Sequence, residues 1–287
     1  MINQSERKPD WLRIKARQSD YFDETARRLA CRGLHTICTS GKCPNLKECW
    51  SAGTATFMIL GEICTRSCRF CATRSGRPLP PDPYESMKVA DAVREMKLRH
   101  CVLTSVDRDD LPDGGAAIWK ATIEAVRTAN PMTTIEVLIP DFKGDHPSLE
   151  LVISAKPDIL GHNLETVRRL TPGVRSKAGY DRSLELLKRA SDAGMVTKSG
   201  IMAGLGETTE EILETMDDLL AAGCRIFTMG QYLRPSFDHL PVSGYMHPDT
   251  FGYFRKEALA KGFMAAECGP LVRSSYHAGE VMQQLKK

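Results

Sequence analysis

Six of the ten cysteines in this 287-residue chain fall in two closely spaced groups of three. They are Cys38-x4-Cys43-x5-Cys49 and Cys64-x3-Cys68-x2-Cys71. Thiolates are the soft ligands that iron–sulfur clusters use. Three cysteines on one short loop can hold three irons of a four-iron cluster and leave the fourth iron open to a substrate or cofactor. The second group therefore indicates an iron–sulfur centre with one open iron.

Spacing alone leaves alternatives open for the cysteines. Zinc sites usually draw four Cys or His ligands from CxxC-like pairs, and the loop Cys64–Cys71 has no nearby fourth partner of that kind. The upstream group forms either a second metal centre or a set of redox or structural cysteines that lie close together. The four remaining cysteines are interpreted as packing residues: Cys31, Cys101, Cys224 and Cys268.

Composition narrows the class of protein. The formal net charge is only +3, with 42% apolar and 26% charged residues, so no concentrated basic face for nucleic acid is expected. No apolar run approaches the roughly 18 residues that a membrane helix needs. The polar start has no hydrophobic signal core. These features favour a cytoplasmic enzyme with no nucleic-acid or membrane partner, and a monomer is the default expectation.

Short apolar runs alternate with amphipathic segments from residue 56 onward. The predicted strands are Thr56–Leu60, Cys101–Ser105, Thr134–Ile139, Asp158–Gly161, Val196–Gly200, Arg225–Met229 and Phe263–Glu267. The predicted helices are 20–32, Glu85–Lys97, Ala116–Thr128, Ser148–Ser154, Tyr180–Ala193, Thr209–Ala221 and Pro248–Lys261.

Strands that alternate with helices indicate βα units and a parallel sheet. Six units fit the α/β class as a partial (β/α)6 TIM-type barrel better than a full eightfold barrel. We therefore expect an N-terminal extension (1–55), a partial barrel (56–262) and a C-terminal extension (263–287). In such barrels the chemistry lies on the loops that follow the carboxyl ends of the strands.

The segment CTRSCRFC, from Cys64 to Cys71, resembles the signature of the radical S-adenosylmethionine (SAM) superfamily. The resemblance implies a [4Fe–4S] cluster whose open iron chelates the amino and carboxylate groups of SAM. Reduction by one electron would then cleave SAM to methionine and a 5′-deoxyadenosyl radical. Phe70 would lie near the adenine, although ordinary loop packing accounts for an aromatic residue there equally well.

The two cysteine groups together resemble the lipoyl synthase family, a more specific match. Fourteen residues separate Cys49, the last cysteine of the upstream group, from Cys64, the first of the second group, as in that family. Four further segments match family motifs: KPDWLRIK (Lys8–Lys15), TSVDRDDLPDGGA (Thr104–Ala116), GIMAGLGET (Gly200–Thr208) and GPLVRSSYHAGE (Gly269–Glu280). The resemblance covers nearly the whole chain.

This resemblance implies radical insertion of two sulfur atoms, at C6 and C8 of an octanoyl chain on a carrier-protein lysine. Two SAM molecules would be used per lipoyl group, and the auxiliary [4Fe–4S] cluster of the upstream cysteines would donate the sulfur. The implied partners are octanoylated lipoyl-carrier proteins, namely the glycine cleavage H protein and E2 lipoyl domains. A ferredoxin or flavodoxin would supply electrons.

The same resemblance implies an unusual fourth ligand to the auxiliary cluster, a serine of the RSSY segment. Carried over, this is Ser275, with Ser274 as the weaker candidate. Without the family match, the segment is typical of a polar helix cap.

Seven further residues are candidates for the SAM pocket. Asp107 would accept a hydrogen bond from the SAM amino group, or belong to a solvated loop. Asn163 and Glu165 would bind the ribose or the methionyl end, although Glu165 also suits a helix amino terminus. Gly200 and Gly204 would let the backbone approach adenine, or simply form a tight turn. Gln231 and Arg234 would line the entrance of the pocket, and Arg234 would donate two hydrogen bonds to the SAM carboxylate.

Two other functions compete with this assignment. One is a different sulfur-inserting radical SAM enzyme that resembles biotin synthase, but such enzymes lack the upstream cysteine group. The other is a non-catalytic iron–sulfur scaffold or carrier, which the barrel pattern and the GIMAGLGET segment disfavour.

Overall fold

The computed structural model describes residues 8–13, 20–51, 54–276 and 278–285. Its strands are β1 (His35–Thr36), β2 (Thr56–Ile59), β3 (Ile63–Cys64), β4 (Arg74–Ser75), β5 (His100–Ser105), β6 (Thr134–Leu138), β7 (Ile159–Gly161), β8 (Thr197–Ala203), β9 (Ile226–Gln231) and β10 (Ala265–Gly269). Its α-helices are α1 (Asp20–Cys31), α2 (Ile37–Ser40), α3 (Leu46–Ser51), α4 (Glu85–Glu95), α5 (Ala116–Ala129), α6 (His146–Ser154), α7 (Thr171–Val174), α8 (Tyr180–Asp192), α9 (Thr209–Ala221), α10 (Pro248–Lys261) and α11 (Ala278–Leu285).

Eight strands form one sheet in the order β1-β2-β5-β6-β7-β8-β9-β10, and β3 pairs with β4 separately. All neighbours from β2 to β10 are parallel, whereas β1 pairs with β2 in the antiparallel sense. Helices connect the parallel strands, as crossovers between parallel strands require. The predicted α/β class and the partial-barrel architecture are confirmed.

The strand and helix patterns have ordinary physical causes. β2 and β9 are buried along their whole lengths, which is why parallel strands appear as continuous apolar runs. The α9 helix begins at a capping box, in which the Thr208 side chain accepts from the Glu211 N–H and the Glu211 carboxylate accepts from the Thr208 N–H. The core at the centre of the sheet includes Trp119 and Phe57, both wholly buried.

Every predicted strand and helix is present, with ends displaced by three residues or fewer. The short elements β1, β3, β4, α2, α3, α7 and α11 were not predicted, because segments of two to eight residues carry little periodicity. β10 begins two residues later than expected and pairs with β9, so the predicted C-terminal extension starts with a strand of the sheet. Residues 14–15 of the KPDWLRIK segment lie outside the described residues.

The N-terminal segment is attached to the first strand of the barrel. His35 and Thr36 pair with Met58 and Phe57, and the Thr25 hydroxyl donates to the Trp50 carbonyl at 3.2 Å. These contacts hold α2 and α3, and with them the upstream cysteines, against the sheet. In the described parts of the chain, no helix has the length and apolar character needed to cross a bilayer.

The C-terminal segment crosses closely over β9 at a glycine. A Cβ added to Gly230 would lie 2.0 Å from the carbonyl oxygen of Val272 and 3.1 Å from a guanidinium nitrogen of Arg273. The absence of a side chain at Gly230 therefore lets the segment that carries Ser274 and Ser275 reach the site.

We expect Gly230→Ala to lower the free energy of unfolding by about 1–3 kcal/mol, because the Val272 backbone must move away. Anaerobic urea titration of the full-length protein measures the change. Gly252→Ala in α10 is the matched control, since nothing lies within 4 Å of its added Cβ. That control should be neutral or slightly stabilising, as is usual for glycine replaced in a helix. Equal stability of the two variants would contradict the assignment of Gly230.

Candidate functional site

Two cavities adjoin the cysteines. The first, of about 360 Å³, lies at the carboxyl ends of the parallel strands, and Cys64, Cys68 and Cys71 line it together with Cys38 and Cys43. The second, of about 850 Å³, is lined by Cys38, Cys43 and Cys49. We call these the barrel cavity and the outer cavity. Cys38 and Cys43 belong to both, so the two cysteine groups are neighbours in space as well as in sequence.

The loop that carries Cys64, Cys68 and Cys71 is held from several sides. The Arg69 N–H donates to the Val174 carbonyl at 3.0 Å, and the Leu240 N–H donates to the Arg69 carbonyl at 3.1 Å. The Cys64 sulfur accepts from the backbone N–H groups of Arg66 and Asp107, both at 3.4 Å. Donors of this kind stabilise a thiolate, so the loop is prepared for a metal-bound sulfur.

A buried guanidinium ties this loop to the sheet. Arg66 forms ion pairs with Asp107 at 3.2 Å, Asp109 at 2.8 Å and Asp141 at 2.7 Å. Its side chain is 3% exposed and that of Asp141 is fully buried. Although burial opposes ionisation, the Arg66 charge lowers the pKa of Asp141 to about 2. At Asp107 the effect of burial on the pKa is larger than the opposite effect of the Arg66 charge, so the pKa of this carboxyl is raised.

The thiols of this loop fit a metal cluster. All are free of disulfides, and burial raises the pKa of Cys64 to about 12 and also raises the pKa of Cys71. Such thiols keep their protons until a metal replaces them. Among the described residues, no three Cys, His, Asp or Glu side chains converge as ligands of a single metal ion. In a cubane each thiolate binds a different iron, so its ligands stand apart.

The upstream cysteines are carried by short helices. Cys38 lies on α2, Cys49 on α3 and Cys43 on the turn between them, where its N–H donates to the Cys38 carbonyl at 3.0 Å. Burial raises the pKa of all three thiols, in the case of Cys49 to about 12. Three neighbouring thiols on one cavity wall are a donor set that suits a second iron–sulfur centre.

The two serines of the RSSY segment point to different places. The Ser274 hydroxyl accepts from Asn163 Nδ2 at 2.6 Å, and the Ser275 hydroxyl accepts from Thr56 Oγ1 at 2.8 Å. Both serines line the barrel cavity, but only Ser275 also lines the outer cavity with Cys49. α11 begins three residues after Ser275, so neither serine is the residue directly before that helix.

Six of the SAM-pocket candidates line the barrel cavity: Phe70, Asp107, Asn163, Glu165, Gly200 and Gln231. Asn163 donates to Glu165 Oε1 at 3.2 Å, and its own Oδ1 is buried without a hydrogen-bond partner. Such an atom normally needs a donor, and a ligand in the cavity can supply one. Glu165 is half-buried, desolvation raises its pKa, and it has a positive φ of 67°. Backbone strain of this kind, of order 1–3 kcal/mol, concentrates at functional sites.

The interpretation of Glu165 as a helix-terminal acid is wrong. Glu165 forms an isolated parallel bridge with Ile201 of β8, and no helix begins there. The packing requires a glycine at position 200, because an added Cβ would lie 2.2 Å from the Thr228 hydroxyl.

Two candidates do not reach the barrel cavity. Gly204 has a φ of 99° in the turn after β8, and an added Cβ would meet the Gln231 amide at 2.2 Å. The Arg234 guanidinium donates to the carbonyls of His239 and Phe237, within its own loop. A tight turn therefore accounts for Gly204, and the structure does not bring Arg234 together with the other candidates.

Gln231 lines the cavity, but its amide is occupied by protein. Its Nε2 donates to the carbonyls of Ala203 and Gly244 at 2.9 and 3.0 Å, and its Oε1 accepts from the Met246 N–H at 2.9 Å. The side chain fixes the loop around residue 244 and is not free to bind a ligand.

Sequence reasoning missed several charged residues of this cavity: Arg66, Asp141, His162, Arg175 and Arg273. Asp141 and His162 follow strands β6 and β7, and that position was the available signal for them. Arg66 and Arg273 lie inside segments already singled out for their cysteines and serines. Arg175 had no comparable signal.

His162 shows how closely this region is packed. Its Nδ1–H donates to the Ile139 carbonyl at 2.8 Å, and its Nε2 lies 2.8 Å from the Ser183 hydroxyl. Burial, assisted by the Arg175 charge, lowers the pKa of His162 to about 4. The imidazole is therefore neutral near pH 7.

Comparison with known proteins was made on sequence and on structure. The family model of the radical SAM superfamily matches residues 58–219. The lipoyl synthase of Parabacteroides distasonis is 57% identical over 95% of this chain and 97% of the relative. The lipoyl synthase of Treponema denticola is 55% identical over 96% and 94% of the two chains. That of Symbiobacterium thermophilum is 56% identical over 97% and 88%.

Solved structures show a similar fold at low identity. Methylornithine synthase superposes with a TM-score of 0.55 at 12% identity, over 71% of this chain and 62% of its own. SuiB of Streptococcus suis, bound to its precursor peptide SuiA, gives 0.58 at 11% identity, over 89% and 55%. At these identities the likeness shows the fold alone.

His162 should make stability depend on pH. Its pKa is lower in the fold than in the unfolded chain, so the unfolded chain takes up the proton first as pH falls. The contribution is complete above pH 6.5 and declines toward pH 4. From pH 7 to pH 5 we expect a loss of about 2 kcal/mol through this group.

Anaerobic urea titration of the wild-type protein and of His162→Gln at both pH values measures this loss. Glutamine retains a donor and an acceptor but does not titrate, so the variant should lose about 2 kcal/mol less between the two conditions. Acid effects on bound clusters are common to both proteins and cancel in the comparison. An identical pH dependence would show that the fold does not lower the pKa of His162.

Proposed function

The chain belongs to the lipoyl synthase family of the radical SAM superfamily, and from that membership we propose which of its residues serve each part of sulfur insertion. It is an enzyme, a sulfurtransferase that uses SAM and [4Fe–4S] clusters. Near-full-length identity of 54–57% to lipoyl synthases also removes the alternatives of a biotin-synthase-like enzyme and of a non-catalytic carrier.

The reaction requires replacement of hydrogen on unactivated carbons of an octanoyl chain. No side-chain base can remove such a proton, so bound SAM and its cluster supply hydrogen-atom abstraction and the auxiliary cluster supplies sulfur. The work left to this chain is to hold these groups, to orient the substrate between them and to keep water out.

One observation carries the assignment of two joined centres. Members of both cysteine groups line the barrel cavity, which is large enough for a small ligand at about 360 Å³. Cys64, Cys68 and Cys71 would hold the cluster that binds SAM, and Cys38, Cys43 and Cys49 would hold the auxiliary cluster. A substrate in this cavity can contact both centres without leaving it.

Different side chains that line the barrel cavity would bind different parts of SAM. Asn163, with its unpartnered Oδ1, would accept from a ribose hydroxyl or the SAM amino group. Asp107 and Glu165 are the acidic groups beside the cluster loop, and Phe70 would cover the adenine. Arg66 holds Asp107 in place, and Arg175 and His162 close the cavity wall behind Glu165. These packed groups exclude water from the reacting carbons.

Ser275 would be the fourth ligand of the auxiliary cluster. Its hydroxyl and all three upstream thiols line one cavity, whereas Ser274 is engaged by Asn163 on the SAM side. An alkoxide oxygen suits cluster iron less well than thiolate, so this ligand would release iron more easily when sulfur leaves.

Family membership implies octanoylated lipoyl-carrier proteins as substrates. We take these to be the glycine cleavage H protein and E2 lipoyl domains, with a ferredoxin or flavodoxin as reductant and the enzyme as a monomer in the cytoplasm. Exposed Lys143 and Lys177 both contact Asp109, which pairs with Arg66 of the barrel cavity, and they would provide positive charge for an acidic partner surface.

Cysteine variants separate the two centres. Anaerobically reconstituted wild-type protein should hold about 8 Fe per chain, and Cys49→Ala and Cys64→Ala about 4 each. Cys49→Ala should still cleave SAM but form no lipoyl group, whereas Cys64→Ala should not cleave SAM. Cys31→Ala is the control, because Cys31 lines neither cavity and should keep both clusters. Iron analysis and an assay with octanoyl-lysyl peptide measure these outcomes; about 4 Fe with zinc in the wild type would contradict the two-cluster assignment.

Serine variants distinguish the two hydroxyls. Ser275→Cys should keep about 8 Fe yet insert sulfur at least about tenfold more slowly, because thiolate releases iron less readily. Ser274→Ala should raise the KM for SAM, since Asn163 loses a hydrogen-bond partner, and should leave the iron content unchanged. Full turnover of Ser275→Cys at the wild-type rate would show that lability of this ligand does not matter.

A further inference from the structure

The auxiliary cysteines lie between two adjoining cavities, which share Cys38, Cys43, Thr56, Val102, Arg273 and Ser275 in their linings. Cys38 and Cys43 line both, whereas Cys49 lines only the outer cavity of about 850 Å³. Cys64, Cys68 and Cys71 line only the barrel cavity. The auxiliary site therefore has a face that the SAM site lacks.

The outer cavity extends away from the substrate side. Its walls come from α1, α3, α11 and residues 95–100, which lead into β5. These residues lie at the amino-terminal end of β5, whereas Asp107 in the barrel cavity follows the carboxyl end of the same strand. The two cavities thus approach the auxiliary cysteines from opposite ends of the sheet.

Sulfur insertion makes a second approach necessary. A cluster that gives up sulfur to its substrate is consumed, and iron and sulfide must be replaced before the next octanoyl chain is converted. SAM and the octanoyl chain occupy the barrel cavity, which is the smaller of the two. Replacement from that side would have to await the departure of every other ligand.

We propose that the outer cavity is the entry route by which ferrous and ferric iron and sulfide reach Cys38, Cys43 and Cys49, separately from the substrate entrance. The proposal rests on the assigned function, because only a consumed cluster needs this route. The volume of the outer cavity is far larger than the roughly 30 Å³ of a water molecule, so the cavity has room for hydrated ions. Its walls carry both signs of charge, with Glu24 and Glu48 opposite Lys97 and Arg273, so neither a cation nor an anion is excluded.

A glycine in α11 offers a way to close this route. Gly279 lines the outer cavity, and an added Cβ would meet only the Cβ of His100, at an ordinary contact distance of 3.6 Å. His100 also lines the cavity, so a larger side chain at position 279 would extend into it. This glycine belongs to the GPLVRSSYHAGE segment and has no other assigned role.

The first test uses the wild-type holoenzyme. Iron is withdrawn anaerobically with 2,2′-bipyridine while iodoacetamide labels each thiol as it is released, and mass spectrometry gives a rate for each cysteine. SAM with octanoyl-lysyl peptide should slow the labelling of Cys64, Cys68 and Cys71 at least about tenfold, because a filled site excludes the reagents. The rate at Cys49 should change less than about twofold, since its cavity stays open. Equal protection of Cys49 and Cys64 would overturn the proposal.

The second test closes the route. Gly279→Trp should slow labelling of Cys49 at least about fivefold by excluding reagent, while Gly279→Ala should match the wild type. After one turnover, sulfide with a mixture of Fe²⁺ and Fe³⁺, in which the ferric iron supplies the oxidising equivalents of the mixed-valence cluster, should restore the activity of Gly279→Ala faster than that of Gly279→Trp. Both variants are compared at equal starting iron content, which establishes that they fold.

Unchanged labelling and unchanged restoration in Gly279→Trp would overturn the route and leave the function intact. Failure of the function itself has a different signature, since the wild-type protein would then form no lipoyl group in its first turnover.

Discussion

The site depends on one buried cation, the guanidinium of Arg66. It lies within the cysteine loop and pairs with carboxylates that follow two different strands, Asp107 and Asp109 after β5 and Asp141 after β6. A loop with three thiols cannot rely on apolar packing for its position, because its function requires the sulfurs to face a cavity. An uncompensated buried charge costs several kcal/mol, so breaking this network would release the loop rather than shift it slightly. Lys177 forms an ion pair with Asp109, and Arg182 forms one with Asp141. Their positive charges reduce the repulsion among the three neighbouring carboxylates.

The C-terminal segment joins the two centres. It passes over β9 only because Gly230 has no side chain, and it then turns neighbouring serines toward different sites. The side chains of adjacent residues commonly point in different directions. Ser274 accordingly contacts Asn163, and Ser275 contacts Thr56. On the proposed assignment, the auxiliary ligands would come from the N-terminal and C-terminal segments, and the ligands of the SAM cluster would come from the barrel.

Most of the architecture was predictable from sequence. Buried parallel strands and amphipathic helices have strong periodicity, and closely spaced groups of cysteines often bind metal, so the barrel and both thiol groups were found. The residues around the thiols were not predicted. Arg66, Asp141 and His162 are brought together only by the packing of loops that are far apart in the chain. Gln231 and Arg234 were assigned to the pocket from their place at or just after the carboxyl end of β9, yet the polar atoms of each are occupied by nearby backbone groups. Position after a strand predicts proximity to a site, but not whether a side chain is free to bind.

A radical site and a sacrificial cluster impose opposite demands on one protein. The radical must be enclosed, since water and solvent reagents would quench it, and the packed wall of His162, Arg175 and Glu165 serves that need. The consumed centre must be rebuilt, which requires solvent access. The barrel cavity at the carboxyl ends of the strands cannot meet both demands at the same time. Carrying the auxiliary cysteines on α2, α3 and the turn between them, outside the barrel, gives that centre a second face, and the outer cavity is the physical consequence of this arrangement.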